Sequence, residues 1–236
     1  MIQPAYSGRS SLWKVFFYVF VLTFYPAVSM ANTQPQLIQL SPPVFKEKDF
    51  QALLKKRYSC RQFKNQSLKL DDLAGILWAA CGKKHDAVTQ ATRTIPSAGA
   101  TNPLELYLVV GKNSVDKLTP GVYHYLIDRH ALELVKNKDV RAELALACLG
   151  QDFIRQAPVS LVIAADFMRT CARYAGRGER YVHMEAGHAS QNIYLAVYSF
   201  GLATVEVGAF VDTQVSQTLG LEGDLAPLIV MPVGYP

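Results

Sequence analysis

Four basic side chains lie within seven positions of the sequence, at Lys55, Lys56, Arg57 and Arg61. Ser59 stands between the two arginines, and no acidic residue in the stretch KKRYSCRQF neutralises them. A run of like charge is usually a solvated face. The alternative is a phosphate site, because guanidinium groups and a hydroxyl can converge as donors on one anion. The pattern alone leaves both interpretations open.

Small residues form a second candidate site at Ser97 and Gly99, in the segment RTIPSAGATNP before a predicted strand. Small side chains let a flat ligand approach the backbone and leave amide N–H groups free to donate. Gly208, which follows Val207 in VEVGAF, allows a similar close approach at a strand end. An ordinary tight turn or a β-bulge has the same composition, so both segments are hypotheses at this stage.

Several common catalytic and binding signatures are missing. His183 and His188 are five residues apart, whereas a zinc pair on a helix is spaced by four, so we expect no metal site. The sequence contains no GxxxxGK[ST] loop, no GxGxxG after a strand and no GxSxG elbow. The four cysteines match no zinc or CxxC spacing, which predicts buried thiols.

The first 31 residues have the order of a secretory signal. Two basic residues precede the apolar run 15–28, and the small residues SMA follow it. The run is interrupted by Pro26 and is too short for a spanning helix of about 20 residues. We therefore expect cleavage after Ala31, a periplasmic or secreted protein, and no stable membrane anchor after signal removal. An uncleaved anchor is the alternative.

The charge of the remaining chain does not indicate a nucleic-acid partner. Two of the 24 basic residues and none of the 19 acidic residues precede residue 32, which leaves a net charge of +3. No basic helix or basic–aromatic interleaving accompanies this weak excess. We expect a small-molecule substrate and no nucleic acid.

The hydrophobic pattern beyond the signal predicts one α+β domain over 46–236, preceded by a linker over 32–45. Helices are predicted over 50–59, 68–82, 139–150 and 211–220, with a long central helix over 179–201. Strands are predicted over 104–111, 160–167, 203–210 and 226–234, with a strand pair over 121–135. Gly82 is predicted to end the second helix and Asp212 to cap the last one.

A polar stripe runs beside the apolar face of the long predicted helix. It consists of Tyr181, Glu185, His188 and Asn192, spaced by four, three and four residues. Buried polar residues on a long helix most often make structural hydrogen bonds. We predict that role for the stripe rather than a catalytic one.

Five motifs, taken in order, resemble the nitroreductase superfamily. They are RYSCRQF, RTIPSAGATNPLELY, GVYHYLIDRHALE, RYAGRGERYVHMEAGHASQNIYLAVYSFGLATVEVGAF and APLIVMPVGYP. Within that superfamily the chain resembles the SagB-type (SagB/ThcOx) dehydrogenase branch, which includes azoline oxidases of peptide-modification pathways. The resemblance covers residues 50–236. It implies a nitroreductase-like α+β fold, with a mixed or antiparallel central sheet flanked by helices and one long central helix.

The resemblance also implies an obligate homodimer that binds FMN at its interface and passes a hydride through the flavin. The expected flavin-binding residues are Arg57, Ser59, Arg61, Ser97, Gly99, Val207 and Gly208. The first three would hold the phosphate and the pyrimidine edge, the next two would line the isoalloxazine ring, and the last two would present backbone N–H near flavin N5. No residue is assigned as catalytic. The implied function is an exported FMN-dependent oxidoreductase.

One departure bears on the chemistry. The azoline oxidases carry a Lys-Tyr pair where this chain has Arg173 and Tyr174. Arginine stays protonated and is a poor general base. Residues 83–94 and 169–179 are predicted to shape the acceptor site. Two rival hypotheses are a non-catalytic flavin- or small-molecule-binding protein and, less favoured, covalent flavin attachment at Thr101.

Overall fold

A computed structural model describes residues 36–46, 49–85, 88 and 92–236. The predicted signal segment lies outside these residues. Seven strands occur in the described part: β1 (Leu37–Gln39), β2 (Leu104–Val110), β3 (Gly121–Leu126), β4 (Ala131–Lys136), β5 (Val159–Asp166), β6 (Ala203–Thr204) and β7 (Leu225–Gly234). They form one sheet in the order β1-β4-β3-β2-β5-β7-β6, and every pairing between strands is antiparallel.

The helices of the described residues are α1 (Phe50–Lys56), α2 (Leu70–Cys81), α3 (Arg141–Ala147), α4 (Asp152–Gln156), α5 (Phe167–Tyr174), α6 (Arg177–Ser199) and α7 (Asp212–Leu219). Helices α2 and α6 cover one face of the sheet, and α3, α4 and α7 cover the other. Apart from Glu105, strand β2 is apolar on both faces, as expected where both faces are covered. Its Leu106 and Leu108 pack towards α2 and α6, whereas Tyr107 and Val109 pack towards α3 and α7.

The long central helix is confirmed as α6. Its buried apolar stripe includes Val182, Ala189, Ile193 and Val197, at the spacing of one helical face. In the polar stripe beside it, the side-chain amide of Asn192 donates to the carbonyl of Ala79 at 3.0 Å. That bond ties α6 to α2 and gives Asn192 the structural role that the sequence predicted.

Two of three local predictions differ from the structure. Residues 37–39 of the predicted linker form β1, because they find a partner in β4 that sequence periodicity cannot reveal. Gly82 ends α2 as predicted: its N–H donates to the Trp78 carbonyl, its φ is −58°, and a Cβ there would overlap the Trp78 ring and backbone. Asp212 is the first residue of α7 rather than its cap, and Val211 precedes it without a capping side chain.

The segment after β5 also differs from expectation. Helix α5 begins where the Asp166 carboxylate accepts a hydrogen bond from the backbone N–H of Met168 at 2.9 Å. The sequence pattern predicts no helix at these positions. The predicted strand over 203–210 shortens to the two residues of β6 and an isolated bridge between Val207 and Val230.

The cysteines and the helix lengths are the last two features of the fold. Cys60, Cys81 and Cys148 are buried free thiols, as predicted, and Cys171 is a half-buried free thiol. Within the described residues, no helix is both long and apolar enough to cross a membrane.

Candidate functional site

The segment after α1 is held rigidly by the long helix. Helix α1 ends because Arg57 adopts an extended conformation, with ψ 119°. The Tyr198 hydroxyl of α6 accepts from the backbone N–H of Tyr58 at 3.2 Å and donates to the Tyr58 carbonyl at 2.5 Å. The Cys60 N–H donates to the Thr204 carbonyl of β6 at 2.9 Å. The backbone of KKRYSCRQF is therefore fixed from both sides.

On this extended segment Arg57, Tyr58, Ser59 and Arg61 are exposed, whereas Cys60 is buried. The Arg57 guanidinium lies 5.5 Å from the centre of the Tyr194 ring, and the Ser59 Oγ lies 3.4 Å from the Tyr194 hydroxyl. Neither arginine forms an ion pair with a described residue. Two cations and a hydroxyl on one rigid segment are thus available to an anion.

Tyr194 joins this segment to the chain around Gly208. Its hydroxyl accepts from the backbone N–H of Glu206 at 2.8 Å. Val207 and Val230 exchange two hydrogen bonds of 2.9 Å, so the Val207 N–H is already used. Gly208 is exposed, and its N–H has no partner among the described residues. Of the two donors predicted near flavin N5, Gly208 is the one left free for a ligand.

Sequence reasoning did not single out Tyr194 or Tyr198. These residues are spaced by four on α6, so both hydroxyls point from the same helix face at the Arg57 segment. That spacing of two tyrosines is the signal by which the sequence could have indicated them.

The second cluster is the turn that contains Ser97 and Gly99. Gly99 has φ +60°, and Ala100 and Asn102 also have positive φ. A Cβ on Gly99 would lie 2.5 Å from the Tyr174 hydroxyl and 2.8 Å from Arg173 Nη1. The close approach predicted for Gly99 is therefore made within the protein by α5, and the left-handed backbone independently favours glycine.

Helix α5 and the turn are joined by several hydrogen bonds. Arg173 Nη1 donates to the Gly99 carbonyl at 2.9 Å. The hydroxyls of Thr101 and Thr170 lie 2.8 Å apart. Arg173 and Tyr174, the pair that the resemblance places at the Lys-Tyr position, thus lie directly on the turn predicted to line the flavin.

We expect Gly99→Ala to lower the free energy of unfolding by about 1–3 kcal/mol more than Gly150→Ala does. Both glycines have positive φ, but a Cβ on Gly150 would meet no atom within 4 Å. The control therefore carries only the backbone strain, whereas Gly99→Ala also overlaps α5. Chemical denaturation of the three proteins measures the difference. Equal losses in the two variants would contradict the close approach.

Glu185 lies beneath the same turn and is only 4% exposed. Burial raises the pKa of Glu185 to about 7, against the nearby Ser97 hydroxyl and the charge of Arg93, which both lower it. This carboxyl therefore changes charge near neutral pH.

The raised pKa predicts a stability that depends on pH. Between about pH 4.5 and pH 7 the folded chain holds a proton on Glu185 that the unfolded chain releases. The free energy of unfolding should therefore fall as the pH rises through this window, by up to about 3 kcal/mol. Denaturation of wild type and Glu185→Gln at about pH 5 and about pH 8 should show the variant gaining relative stability at the higher pH. An unchanged difference between the two proteins would contradict it.

The two clusters lie beside different turns of α6. Tyr194 is the α6 residue next to the cluster of Arg57, Ser59 and Gly208, and Glu185 is the α6 residue next to the cluster of Ser97 and Gly99. Nine positions separate these two α6 residues, which is about 14 Å at about 1.5 Å per residue. The structure thus brings the predicted residues together in two groups within one chain.

Two cavities are lined in part by residues of the predicted acceptor segments. One of about 520 Å³ is mainly apolar and lies among α1, α2 and α6; Lys84 and Thr94 lie on its wall. The other, about 470 Å³, is polar and includes Arg93 and Arg169. Segments 83–94 and 169–179 therefore contribute to cavities, and their role at an acceptor site stays a prediction.

Glu105 dominates the charge arrangement in the polar cleft. Its carboxylate lies 2.9 Å from His124 Nε2 and 2.7 Å from Arg169 Nη2. Burial alone would raise the pKa of Glu105, but hydrogen bonds from His124 and Arg169 outweigh it and hold the pKa below its usual value. Within the described ranges, no group of three His, Cys, Asp or Glu side chains could hold a metal ion.

Comparison with known proteins identifies the family. The model of the nitroreductase family matches residues 54–235, which include both clusters and most of the chain. The chain belongs to the nitroreductase family. The sheet, its flanking helices and the long α6 are accordingly a nitroreductase-like α+β fold, and the members of this family are generally oxidoreductases.

Individual relatives agree with this assignment. MJ1384 of Methanocaldococcus jannaschii, a nitroreductase by name, is 43% identical over 197 residues, 84% of this chain and 96% of its own. A crystal structure of a protein from Anabaena variabilis, likewise a nitroreductase by name, matches with a TM-score of 0.73 at 28% identity. That match covers 86% of this chain and 42% of the other.

A third relative is the trifolitoxin-processing protein TfxB of Rhizobium leguminosarum bv. trifolii. It is 27% identical over 164 residues, 66% of this chain. This nitroreductase-family chain spans less than half of TfxB, since the match covers 44% of it.

Proposed function

We propose that this nitroreductase-family protein is an FMN-dependent oxidoreductase that passes two electrons from a reductant to a small organic acceptor. The observation that carries the proposal is the pair of ion-pair-free arginines, Arg57 and Arg61, which flank Ser59 on a segment held rigidly by α6. A phosphate group favours forked, charge-assisted donors of this kind.

The residues present fit FMN in three respects. The cations of Arg57 and Arg61 have no acidic partner among the described residues, so a phosphate would not have to displace one. A Cβ on Gly208 would meet no atom within 4 Å, which leaves open space beside its unused N–H. The Ser97–Gly99 turn is held by α5 through the bond from Arg173 to the Gly99 carbonyl, so its position is set before a ring binds.

The roles of the side chains follow from their chemistry. When bound, FMN supplies a two-electron carrier that takes up and returns a hydride. Arg57, Ser59 and Arg61 would bind the phosphate, and a guanidinium near the pyrimidine edge stabilises negative charge on the reduced ring. The Gly208 N–H would orient the ring. Ser97 and Gly99 would cover one of its faces and exclude water.

We infer that the working unit is a homodimer with the flavin between its subunits. One ring that contacts Gly208 must also contact Ser97 and Gly99, yet the α6 residues that carry these clusters lie about 14 Å apart in one chain. A second copy can bring its own Ser97–Gly99 turn to the first copy's Gly208. The dimerisation that the resemblance implies supports this arrangement.

Redox cycling tests the proposed activity. We expect purified protein loaded with FMN to bleach when a reductant is added and to regain its colour with a quinone or a nitroaromatic acceptor. A protein that binds flavin and stays yellow under both conditions would instead be the non-catalytic flavin-binding protein. A protein that takes up no FMN would contradict both.

We also propose that the protein acts outside the cytoplasm, in the periplasm or as a secreted protein. The support is the order of basic, apolar and small residues over 1–31. N-terminal sequencing of native protein should begin at or near Asn32. Intact Met1 on a soluble cytoplasmic protein would contradict export.

A further inference from the structure

The inference concerns what holds the turn over residues 97–102 in its left-handed conformation. Gly99, Ala100 and Asn102 all have positive φ, and the side chains of the last two make that conformation uncommon. Such a backbone is strained, and it persists where neighbouring groups hold it in place. The position of this turn therefore depends on contacts from outside it.

Helix α5 supplies two of those contacts through arginines. Arg169 and Arg173 lie one helical turn apart on the same face of α5. Arg169 Nη1 donates to the Asn102 carbonyl at 3.2 Å, and Arg173 Nη1 donates to the Gly99 carbonyl at 2.9 Å. The two guanidinium groups thus hold two of the three left-handed residues.

Arg169 is itself fixed by two carboxylates. Its Nη2 lies 2.7 Å from Glu105 Oε1 on β2, and its Nε lies 3.3 Å from Asp166 Oδ2 where α5 begins. Glu105 is held on its other side by His124 of β3, whose Nε2 lies 2.9 Å from Oε2. The three nitrogens of the guanidinium therefore contact the turn, the sheet and the helix separately. A lysine ammonium carries the same charge but lacks this fork.

We propose that Arg169 is a positioning residue, which ties the turn over residues 97–102 to Glu105 in the sheet and so sets where that turn meets the flavin. This inference rests on the proposed FMN function. Arg169 acts through the Asn102 carbonyl, and Glu105 acts through Arg169. The Arg169 side chain is 41% exposed and lies outside the hydrophobic core, so its loss loosens the turn rather than the core.

The first test observes the turn directly and does not involve flavin binding. The amides of Ala100, Thr101 and Asn102 are hydrogen-bonded within the turn. In Arg169→Gln their hydrogen exchange should be faster than in wild type by roughly tenfold or more, because a bond that holds the turn is lost. Arg169→Lys should behave almost alike, and it keeps this test decisive if Arg169→Gln does not fold. Exchange at the wild-type rate in either variant would overturn the proposal.

Arg155→Gln is the matched control for these variants. Arg155 pairs with Asp152, three positions before it on α4, as Arg169 pairs with Asp166 on α5. Its side chain is 58% exposed, and its partner lies on α4 rather than on the turn. The turn amides should therefore exchange at the wild-type rate in this variant.

The second test measures how Arg169 and Glu105 combine in FMN binding. Arg169→Gln and Glu105→Gln should each weaken FMN affinity, the first by roughly tenfold. The variant with both changes should bind no more weakly than Arg169→Gln alone, because Glu105 acts through Arg169. Losses that add would overturn the proposal, since independent structural effects add. A protein that takes up no FMN would contradict the proposed function instead, and the first test would still decide whether Arg169 holds the turn.

Discussion

Arg57→Ala and Arg61→Ala should each weaken FMN binding by roughly tenfold to a few hundredfold. A charge-assisted, forked contact to phosphate contributes on the order of 1.5–3 kcal/mol, and about 1.4 kcal/mol corresponds to a tenfold change in affinity. Neither guanidinium is engaged by an acidic group of the described residues, so the loss falls on the ligand rather than on the fold. Quenching of FMN fluorescence on titration with protein measures the dissociation constants.

Lys55→Ala is the matched control for these two variants. Lys55 is an exposed cation in the same basic run, but it lies within α1 rather than on the extended segment. We expect its loss to leave FMN affinity unchanged. Similar losses in all three variants would favour a solvated basic face over a phosphate site.

The second large effect concerns azoline substrates, on which we expect the protein to be a poor catalyst. Forming an azole from an azoline requires removal of a proton from carbon while hydride leaves, and a general base typically contributes 10²–10⁴-fold. The resemblance to the azoline oxidases places Arg173 at the position of their lysine, and its guanidinium donates to the Gly99 carbonyl at 2.9 Å. A group that stays protonated and is already bonded to the turn cannot accept that proton.

The experiment gives flavin-loaded protein a thiazoline or oxazoline peptide and, separately, a quinone with a reductant. Quinone or nitroaromatic acceptors need no deprotonation of carbon by the protein, so turnover with them should be the faster by roughly 10²-fold or more. Fast azole formation that persists in Arg173→Ala would show that this residue pair does not limit the chemistry.

The parts of the fold that depend on local pattern could be predicted from the sequence. The apolar residues of α6 repeat every three and four positions along a helix of 23 residues, and a strand would instead alternate every second residue. Strands β2, β5 and β7 are mostly apolar runs bounded by turn residues. The order of the motifs along the chain, together with the family resemblance, then predicts the nitroreductase-like fold.

The remainder depends on partners distant in sequence. β1 is three residues long and exists only because β4 pairs with it. The sequence predicts the Val207 N–H as a donor to the ligand, yet in the structure it donates to the Val230 carbonyl. Glu185 is buried, and Tyr198 bonds to the Arg57 segment, because elements distant in sequence pack together. Local residue spacing does not predict such contacts.

The central claim is that the arginine cluster and the Ser97–Gly99 turn form one FMN site between two copies of the chain. A mixed dimer tests it directly. One subunit carries Arg57→Ala with Arg61→Ala, the other carries Ser97→Phe, and two different affinity tags isolate the mixed species. Each variant alone should form dimers without flavin.

The mixed dimer should hold about half of the wild-type flavin content, because one of its two sites then combines intact arginines from one copy with an intact turn from the other. The flavin absorbance per dimer is the measured quantity. A mixed dimer with no bound FMN, beside a fully loaded wild type, would contradict the shared site.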